Sequence, residues 1–170
     1  MKILVFSDSH GRTDGIRRAI EAHRADTDLI YFLGDGVWDI AEVLADFPSI
    51  PAVVLRGNWD SPTAVLACGM ETAEGDIRML DGVRIFALHG HTVGVKFGLE
   101  DYLARAAKAG ASLALFGHTH QPYNHAEKAA FGPNERILFF NPGSVGKGSP
   151  CTYGVIYIVN GQISAAHGEV

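Results

Sequence analysis

The chain has 170 residues, of which 47% are hydrophobic and 19% are charged. These values predict one compact domain over residues 1–170 and exclude an intrinsically disordered chain. The net charge of −5 argues against a nucleic-acid partner, and no apolar run reaches the roughly 18–20 residues of a membrane-spanning helix. We therefore expect a cytoplasmic protein. Its two cysteines, Cys68 and Cys151, lack metal-binding spacing and are expected to be reduced packing residues.

Strands and helices alternate in the first part of the chain. Apolar residues at helical spacing predict one helix that begins after Thr13 and a second over residues 37–47, ended by Pro48. Short runs rich in β-branched and aromatic residues predict strands at 2–6, 29–33 and 52–55. Strands that alternate with helices in this way pair in parallel through right-handed crossovers.

After residue 61 the pattern changes. Residues 77–80 and 83–88 flank an Asp81-Gly82 pair, which is a strong hairpin signal. A helix is predicted over residues 99–108 and a strand over 112–116. The last strands are expected to be antiparallel, with an Asn160-Gly161 turn, and cover 124–130, 136–140, 152–159 and 162–166. Together these elements predict two mixed sheets packed together, with helices outside.

Residues of metal-ligand type follow five of the predicted strands. Each segment alone is a common turn sequence. Because ligands of open α/β sheets bind at the carboxyl ends of the strands, the five segments are expected to converge on one edge. They are SDSH at 7–10, GDG at 34–36, GNWD at 57–60, HGH at 89–91 and GHTH at 117–120. Their combination favours a metal site over isolated turns.

The ligand types indicate the chemistry. Carboxylates, imidazoles and one carboxamide, without a thiolate, suit Mn²⁺, Fe²⁺ or Zn²⁺, and there are enough of them for two ions. Asp8, Asp35 and a bridging hydroxide neutralise only part of the charge of two divalent ions. The centre therefore stays positive in an otherwise acidic protein. Such a centre attracts a phosphate ester and polarises it. The residues alone therefore predict phosphoester hydrolysis.

The order of these motifs resembles the calcineurin-like metallophosphoesterase superfamily over nearly the whole chain. The small size and the Asn141-Pro142-Gly143-Ser144 segment, itself interpreted as a turn, are similar to the compact bacterial and archaeal phosphodiesterases of that superfamily. The resemblance implies an α/β fold, a four-layer α/β/β/α sandwich of two mixed β-sheets flanked by helices. It also implies a phosphodiesterase that acts on a small phosphate ester through a metal-bridging hydroxide, with a homo-oligomer as a common state.

The resemblance also implies roles for individual residues. Mn²⁺ is the expected ion, with Fe, Zn, Ni or Co as alternatives. Asp35, Asn58 and His91 are the expected catalytic residues, and His91 is equally compatible with an ordinary turn histidine. The first ion would be held by Asp8, His10 and His120, the second by Asn58, His89 and His118, and Asp35 would bridge the two.

One position departs from the family pattern. Trp59 stands where the family usually has a histidine that assists the leaving group. An indole cannot protonate a leaving oxygen, although its ring can stack on a base or an aryl group. Asp60 thereby loses its usual histidine partner and is expected to cap the following segment. We therefore expect a preference for esters with good leaving groups.

Two other functions stay open from the sequence. One is a non-catalytic interaction module, as in the retromer subunit that shares this fold, and the other is a nuclease. Retention of the full ligand set favours the enzyme, because an unused cluster of buried charges is costly. The acidic balance and the absence of a basic stripe oppose a nuclease. Lys147 lies in a glycine-rich loop that is either a connector or mobile on substrate binding.

Overall fold

A computed structural model describes residues 1–170, apart from the side chains of Ala64 and Cys68. The prediction for Cys68 thus lies outside the described residues, whereas Cys151 is a free, half-buried cysteine. A short 3₁₀ helix covers His91–Val93. The helices are α1 Asp14–His23, α2 Val37–Leu44, α3 Pro62–Cys68 and α4 Glu100–Lys108. The strands are β1 Lys2–Phe6, β2 Leu29–Phe32, β3 Ala52–Val54, β4 Gly75–Leu80, β5 Val83–Leu88, β6 Leu113–Leu115, β7 Pro122–Lys128, β8 Arg136–Pro142, β9 Thr152–Val159 and β10 Gln162–Glu169.

The first sheet has the strand order β10-β9-β1-β2-β3. Its strands β1, β2 and β3 pair in parallel, which confirms the prediction from the alternating strands and helices. The two C-terminal strands form an antiparallel hairpin whose outer member is β10, and β9 pairs antiparallel with β1. The turn residues Asn160 and Gly161 both have positive φ, as a type I′ turn requires.

The second sheet has the strand order β4-β5-β6-β8-β7. The hairpin predicted at Asp81-Gly82 joins β4 and β5. The expectation of antiparallel strands after residue 124 is confirmed for β7 with β8, but β8 also pairs in parallel with β6. This parallel pair arises because β7 lies at the sheet edge, so that β8 inserts between β7 and β6. Both sheets are therefore mixed.

Three hydrophobic clusters build the predicted four layers. Because side chains alternate along a strand, Ile3 and Val5 of β1 face the second sheet, while Leu4 and Phe6 face the helices. The cluster that contains Leu4 also contains the apolar faces of α1 and α2. A third cluster includes Tyr102 of α4 and packs this helix on the second sheet. The α/β/β/α sandwich is thus confirmed.

Two short helices were absent from the sequence prediction. They are α3 and the 3₁₀ helix at His91–Val93. The dipeptide Ser61-Pro62 carried a signal for α3, because proline is favoured at the first position of a helix. In the part of the chain that the structure describes, no helix has the length and apolar character needed to cross a bilayer.

A hydrogen-bonded triad connects the two sheets. The hydroxyl of Tyr31, on β2, donates to Oδ2 of Asp76 on β4 at 2.7 Å. Arg78 donates to both oxygens of Asp76, at 2.6 and 2.7 Å. Burial alone would raise the pKa of Asp76, but the hydrogen bonds from Arg78 and Tyr31 outweigh it and hold that pKa below its usual value.

Replacement of this carboxylate tests the triad. Because the pKa of Asp76 is lower in the folded chain than in the unfolded chain, its contribution to stability is complete above the unfolded pKa of about 3.9. The contribution disappears as the pH falls through the lower pKa that Asp76 has in the folded chain. We expect Asp76→Ala to reduce the free energy of unfolding by about 1–2 kcal/mol at pH 7. Urea unfolding at several pH values should show the difference shrinking below pH ~4. Glu71→Ala, which changes an exposed carboxylate, is the control. If the stability difference between Asp76→Ala and the unmodified protein did not depend on pH, the stabilising role of the Asp76 carboxylate would be contradicted.

Candidate metal centre

Five loops meet at one edge of the sandwich. Three follow β1, β2 and β3 of the first sheet, and two follow β5 and β6 of the second. The carboxyl ends of these strands lie side by side, so each loop brings its polar residues to the same place. The predicted convergence of the five motifs is therefore observed, and two groups of side chains result.

The first group consists of Asp8, His10 and His120, whose ligand atoms all lie within 4.8 Å of one another. Nε2 of His120 lies 3.2 Å from Oδ1 of Asp8, and Nε2 of His10 lies 3.8 Å from the same oxygen. The two imidazole Nε2 atoms are 3.1 Å apart. The donor atoms of all three residues thus face a common point.

The second group consists of Asp35, His89 and His118, again with ligand atoms within 4.8 Å. Nε2 of His89 lies 3.4 Å from Oδ2 of Asp35 and 3.2 Å from Oδ1 of Asn58. The same Oδ2 of Asp35 is 3.9 Å from Nε2 of His10, a member of the first group. Asp35 consequently lies between the two groups, and Asn58 adjoins the second.

The donor set fits cations. Oδ1 of Asp8 is buried and accepts no hydrogen bond from any described residue, although it faces the rings of the first group. Its other oxygen accepts a bond from the backbone N–H of His118 at 3.0 Å. A buried carboxylate oxygen without a donor is costly unless a cation compensates it. Oxygen and imidazole nitrogen, without sulfur, suit divalent ions of the Mn²⁺, Fe²⁺ and Zn²⁺ type.

The ligand loops adopt a strained backbone conformation. Among residues other than glycine that the structure describes, seven have positive φ, and two of them are the hairpin residues Asp81 and Asn160. The other five belong to the two groups: Asp8 at 58°, His10 at 47°, Asp35 at 60°, His118 at 67° and His120 at 60°. This left-handed region is unfavourable for side chains with a Cβ and is concentrated at functional sites. Backbone strain therefore coincides with the proposed ligands.

The orientation of His89 and the charge states of Asp35 and His118 agree with cation binding. Nδ1 of His89 donates to the carbonyl of Leu33 at 2.8 Å, which turns Nε2 towards Asp35. Burial and the positive charge of His89 lower the pKa of His118 to about 4. For Asp35, burial acts to raise the pKa, but the hydrogen bond from His89 and further contacts bring it below the usual value. Near neutral pH Asp35 is thus ionised and His118 neutral, the forms that bind metals.

His91 lies beside the second group. Its ring centroid is 5.4 Å from that of His89 and 6.2 Å from that of His118. Burial and the charge of His89 lower its pKa. Its Nδ1 is buried and has no hydrogen-bond partner among the described residues, which does not match a turn histidine with satisfied hydrogen bonds. His91 therefore has a free nitrogen close to the candidate centre.

Among the described residues, Asp60 accepts hydrogen bonds from amides that precede it in the chain and from none in the segment that follows, contrary to the expectation. Its Oδ2 accepts the backbone N–H groups of Asp35 and Gly57 at 2.7 and 2.8 Å. Its Oδ1 accepts those of Gly36 and Val37, both at 2.9 Å. The carboxylate thus satisfies amides at the start of α2, which precedes it in the chain. A capping partner so distant in sequence has no local signature.

Gly57 is required for this arrangement. A Cβ at position 57 would lie only 2.0 Å from Oδ1 of Asp35 and 2.5 Å from its backbone nitrogen. No side chain fits there, and the close approach allows the loop after β3 to pack directly on Asp35. The glycine that precedes Asn58 is therefore a packing requirement of the site.

Sequence analysis missed several residues that hold the ligand loops. Asp39 on α2 accepts from Ser9 Oγ at 2.5 Å and from Gly11 N–H at 2.8 Å, on both sides of His10. Its only sequence signal was an acidic residue in the first turn of a helix next to a ligand loop.

The Asn141–Ser144 segment, interpreted as a turn, also supports two of these loops. Nδ2 of Asn141 donates to the carbonyl of Gly117 at 2.9 Å, next to His118. The hydroxyl of Ser144 donates to the backbone carbonyl of Asp8 at 2.6 Å. The segment thus connects the loops that follow β1 and β6.

Trp59 lies at the rim of the site. Its side chain is 73% exposed, and its backbone N–H donates to Oδ1 of Asp35 at 2.8 Å. Its ring meets that of His10 edge to face, with centroids 6.0 Å apart. Nζ of Lys147 lies 5.9 Å from the centroid of the indole. An aromatic group and a cation therefore border the first group of ligands.

Comparison with known proteins agrees with this architecture. Residues 1–161 match the family model of the calcineurin-like phosphoesterase superfamily domain. A match over this length shows the family, and the chain belongs to the calcineurin-like phosphoesterase superfamily, as the order of the motifs had indicated. Candidate sites for divalent cations are an expected feature of such a protein.

Three similar proteins illustrate the range of relatives. The probable metallophosphoesterase YsnB of Bacillus subtilis is 29% identical over 147 residues, which cover 85% of this chain and 75% of YsnB. The structure of a novel archaeal phosphodiesterase has a TM-score of 0.69 at 22% identity and covers 98% of this chain and 99% of its own. Vps29 of Entamoeba histolytica, solved in complex with Zn²⁺, has a TM-score of 0.67 at 17% identity and covers 99% of each chain.

The Asp60 contacts lead to a prediction. Asp60→Ala removes the acceptor of four backbone amides, so we expect about 1–3 kcal/mol less free energy of unfolding. Because the same amides position Asp35, Mn²⁺ affinity should fall about 10–100-fold. Urea unfolding and metal titration measure the two effects. Asp46→Ala removes an exposed ion pair with Arg17 and should change neither; unchanged Mn²⁺ affinity in Asp60→Ala would contradict the positioning role.

Proposed function

We propose that the protein is a metal-dependent phosphodiesterase that uses two divalent ions. The first ion is assigned to Asp8, His10 and His120, the second to Asn58, His89 and His118, and both to Asp35. The observation that carries this proposal is the pair of ligand groups that meet at Asp35, with the buried Oδ1 of Asp8 lacking a donor among the described residues. Mn²⁺ is the proposed ion, and Fe, Zn, Ni and Co are alternatives that the same ligands accept.

The chain's own residues define the reaction site. When bound, the ions supply charge neutralisation for the phosphate and a water molecule acidic enough to be a nucleophile at neutral pH. Asp35 is held by the N–H of Trp59, so its carboxylate keeps a fixed direction. The ring centroid of His91 lies 5.4 Å from that of His89, so this side chain borders the second group. Asp35, Asn58 and His91 are therefore the proposed catalytic residues.

The ligand set favours an enzyme over an interaction module. Similarity to Vps29 and to the archaeal phosphodiesterase covers almost the whole chain in both cases, so the fold does not separate the two functions. Backbone strain at five ligand positions is costly and is typical of functional sites. This strain, together with the unpaired Asp8 oxygen, supports the phosphoesterase.

Other features of the proposal concern the substrate and the state of the protein. The net charge of −5 supports a small phosphate ester over a nucleic-acid polymer as substrate. The single domain over residues 1–170, the cytoplasmic location and self-association into a homo-oligomer stay predictions from the sequence.

Hydrolysis of an activated diester tests the proposed function. We expect bis(p-nitrophenyl) phosphate to be cleaved with Mn²⁺ and cleavage to stop after chelation, because the ions supply the nucleophile. Asp35→Asn should lower kcat/KM at least about 100-fold, since it weakens both ion sites. Release of p-nitrophenol at 405 nm, with ion content determined by elemental analysis, gives both quantities. Asp46→Asn is the exposed carboxylate control. Absent or metal-independent cleavage would favour the interaction module.

The indole at position 59 leads to a second prediction of activity. Because Trp59 cannot donate a proton to a leaving oxygen, aryl phosphodiesters should be cleaved much faster than alkyl phosphodiesters. Trp59→His introduces a group that can do so, and we expect it to raise the alkyl rate relative to the aryl rate about tenfold or more. Steady-state rates on a matched aryl and alkyl pair measure the ratio. Equal rates on the two esters in the unmodified protein would contradict this interpretation.

A further inference from the structure

Trp59 presents a large aromatic surface beside the candidate metal centre. Its indole is 73% exposed, yet its backbone is held by the bond from its N–H to Asp35 at 2.8 Å. The edge contact with His10 limits how the ring can turn. The exposed ring is therefore held next to His10, a member of the first ligand group.

Lys147 brings a positive charge to the same place. Its backbone N–H donates to Ser144 Oγ at 2.7 Å, and this hydroxyl donates to the carbonyl of Asp8 at 2.6 Å. The loop that carries Lys147 is thus attached to the loop of the first ligand group. Its Nζ lies 5.9 Å from the centroid of the Trp59 ring.

The ammonium group of Lys147 is available for an anion. The ammonium group contacts the exposed face of Trp59, and none of the carboxylates that the structure describes pairs with it. An exposed cation–π contact is weak, whereas a bond to a phosphate oxygen joins two full charges. The ammonium group can therefore leave the Trp59 ring and bind a phosphate oxygen without breaking an ion pair.

We propose that Trp59 and Lys147 form a subsite for substrates that carry a planar aromatic group, such as a nucleobase, next to the phosphate. The aromatic group stacks on the indole, and the ammonium group pairs with an oxygen of the phosphate. Base stacking on an exposed aromatic side chain is a general mode of recognition that needs no hydrogen-bond partners. The inference rests on the proposed phosphodiesterase function and specifies its substrate class as aromatic phosphate esters.

Fluorescence tests the stacking directly. Trp38 on α2 is the other tryptophan of the chain and is also exposed, so Trp38→Phe leaves Trp59 as the sole indole emitter. In Mn²⁺-loaded Trp38→Phe protein, adenosine 5′-monophosphate should quench the emission of Trp59, and ribose 5-phosphate should not. Equal quenching by the two ligands would overturn the proposal, because the base would then contribute nothing.

Calorimetry with variants separates the two side chains. Trp59→Leu should weaken binding of adenosine 5′-monophosphate about tenfold and leave ribose 5-phosphate unchanged. Trp38→Leu removes an exposed indole elsewhere and should change neither. Lys147→Gln should weaken both ligands about tenfold, and Lys147→Arg should restore them. If Trp59→Leu affects both ligands equally, or neither, the stacking subsite is wrong.

These outcomes are distinct from failure of the proposed function. Absence of Mn²⁺-dependent cleavage of bis(p-nitrophenyl) phosphate would overturn the phosphodiesterase. Discrimination between the two monophosphates by Trp59 would still support the subsite, because it is read from binding alone. Conversely, normal diester cleavage with equal affinity for both monophosphates in all variants overturns the subsite and leaves the proposed function intact.

Discussion

Two buried carboxylates, those of Asp8 and Asp35, have to be held close together at one edge of the molecule, and much of the surrounding structure meets this requirement. Like charges in such a position repel each other and lose hydration, so the chain must fix them from outside. It does so with backbone amides, with the carboxylate of Asp60 behind Asp35, and with the hydroxyl of Ser144 behind Asp8. The left-handed backbone at both aspartates belongs to the same requirement.

The features that the sequence predicted are those with a local signal. The alternation of apolar strands with helical spacing indicated the parallel order of β1, β2 and β3. The Asp81-Gly82 pair indicated a hairpin, because both central residues of a type I′ turn have positive φ, as these two do. The ligand segments were recognisable because each follows a strand, and strand ends of a parallel sheet meet at one edge. The two mixed sheets and the convergence of the five ligand segments could thus be predicted from local signals, whereas the four layers and the division of the ligands between two ions followed from the resemblance to the family.

The features that escaped prediction depend on contacts between distant parts of the chain. Asp60 lies 24 residues from Gly36, whose amide it accepts, and no pattern near Asp60 indicates that partner. The buried role of Asp39 depends on the loop after β1 folding over α2. The parallel neighbour of β8 depends on the position of β7 at the sheet edge. In each case the deciding interaction exists only after segments distant in sequence have assembled within one sheet and its helices.

Each ligand group draws on both sheets. Asp8 and His10 follow β1 of the first sheet, whereas His120 follows β6 of the second, and the second group divides in the same way between Asp35 and the two histidines. An ion in either position is therefore a cross-link between the halves of the sandwich as well as a reagent. Because global unfolding would release such an ion, the melting temperature would rise with free ion concentration. Without ions, the apolar cluster between the sheets would be left as the main connection between the halves.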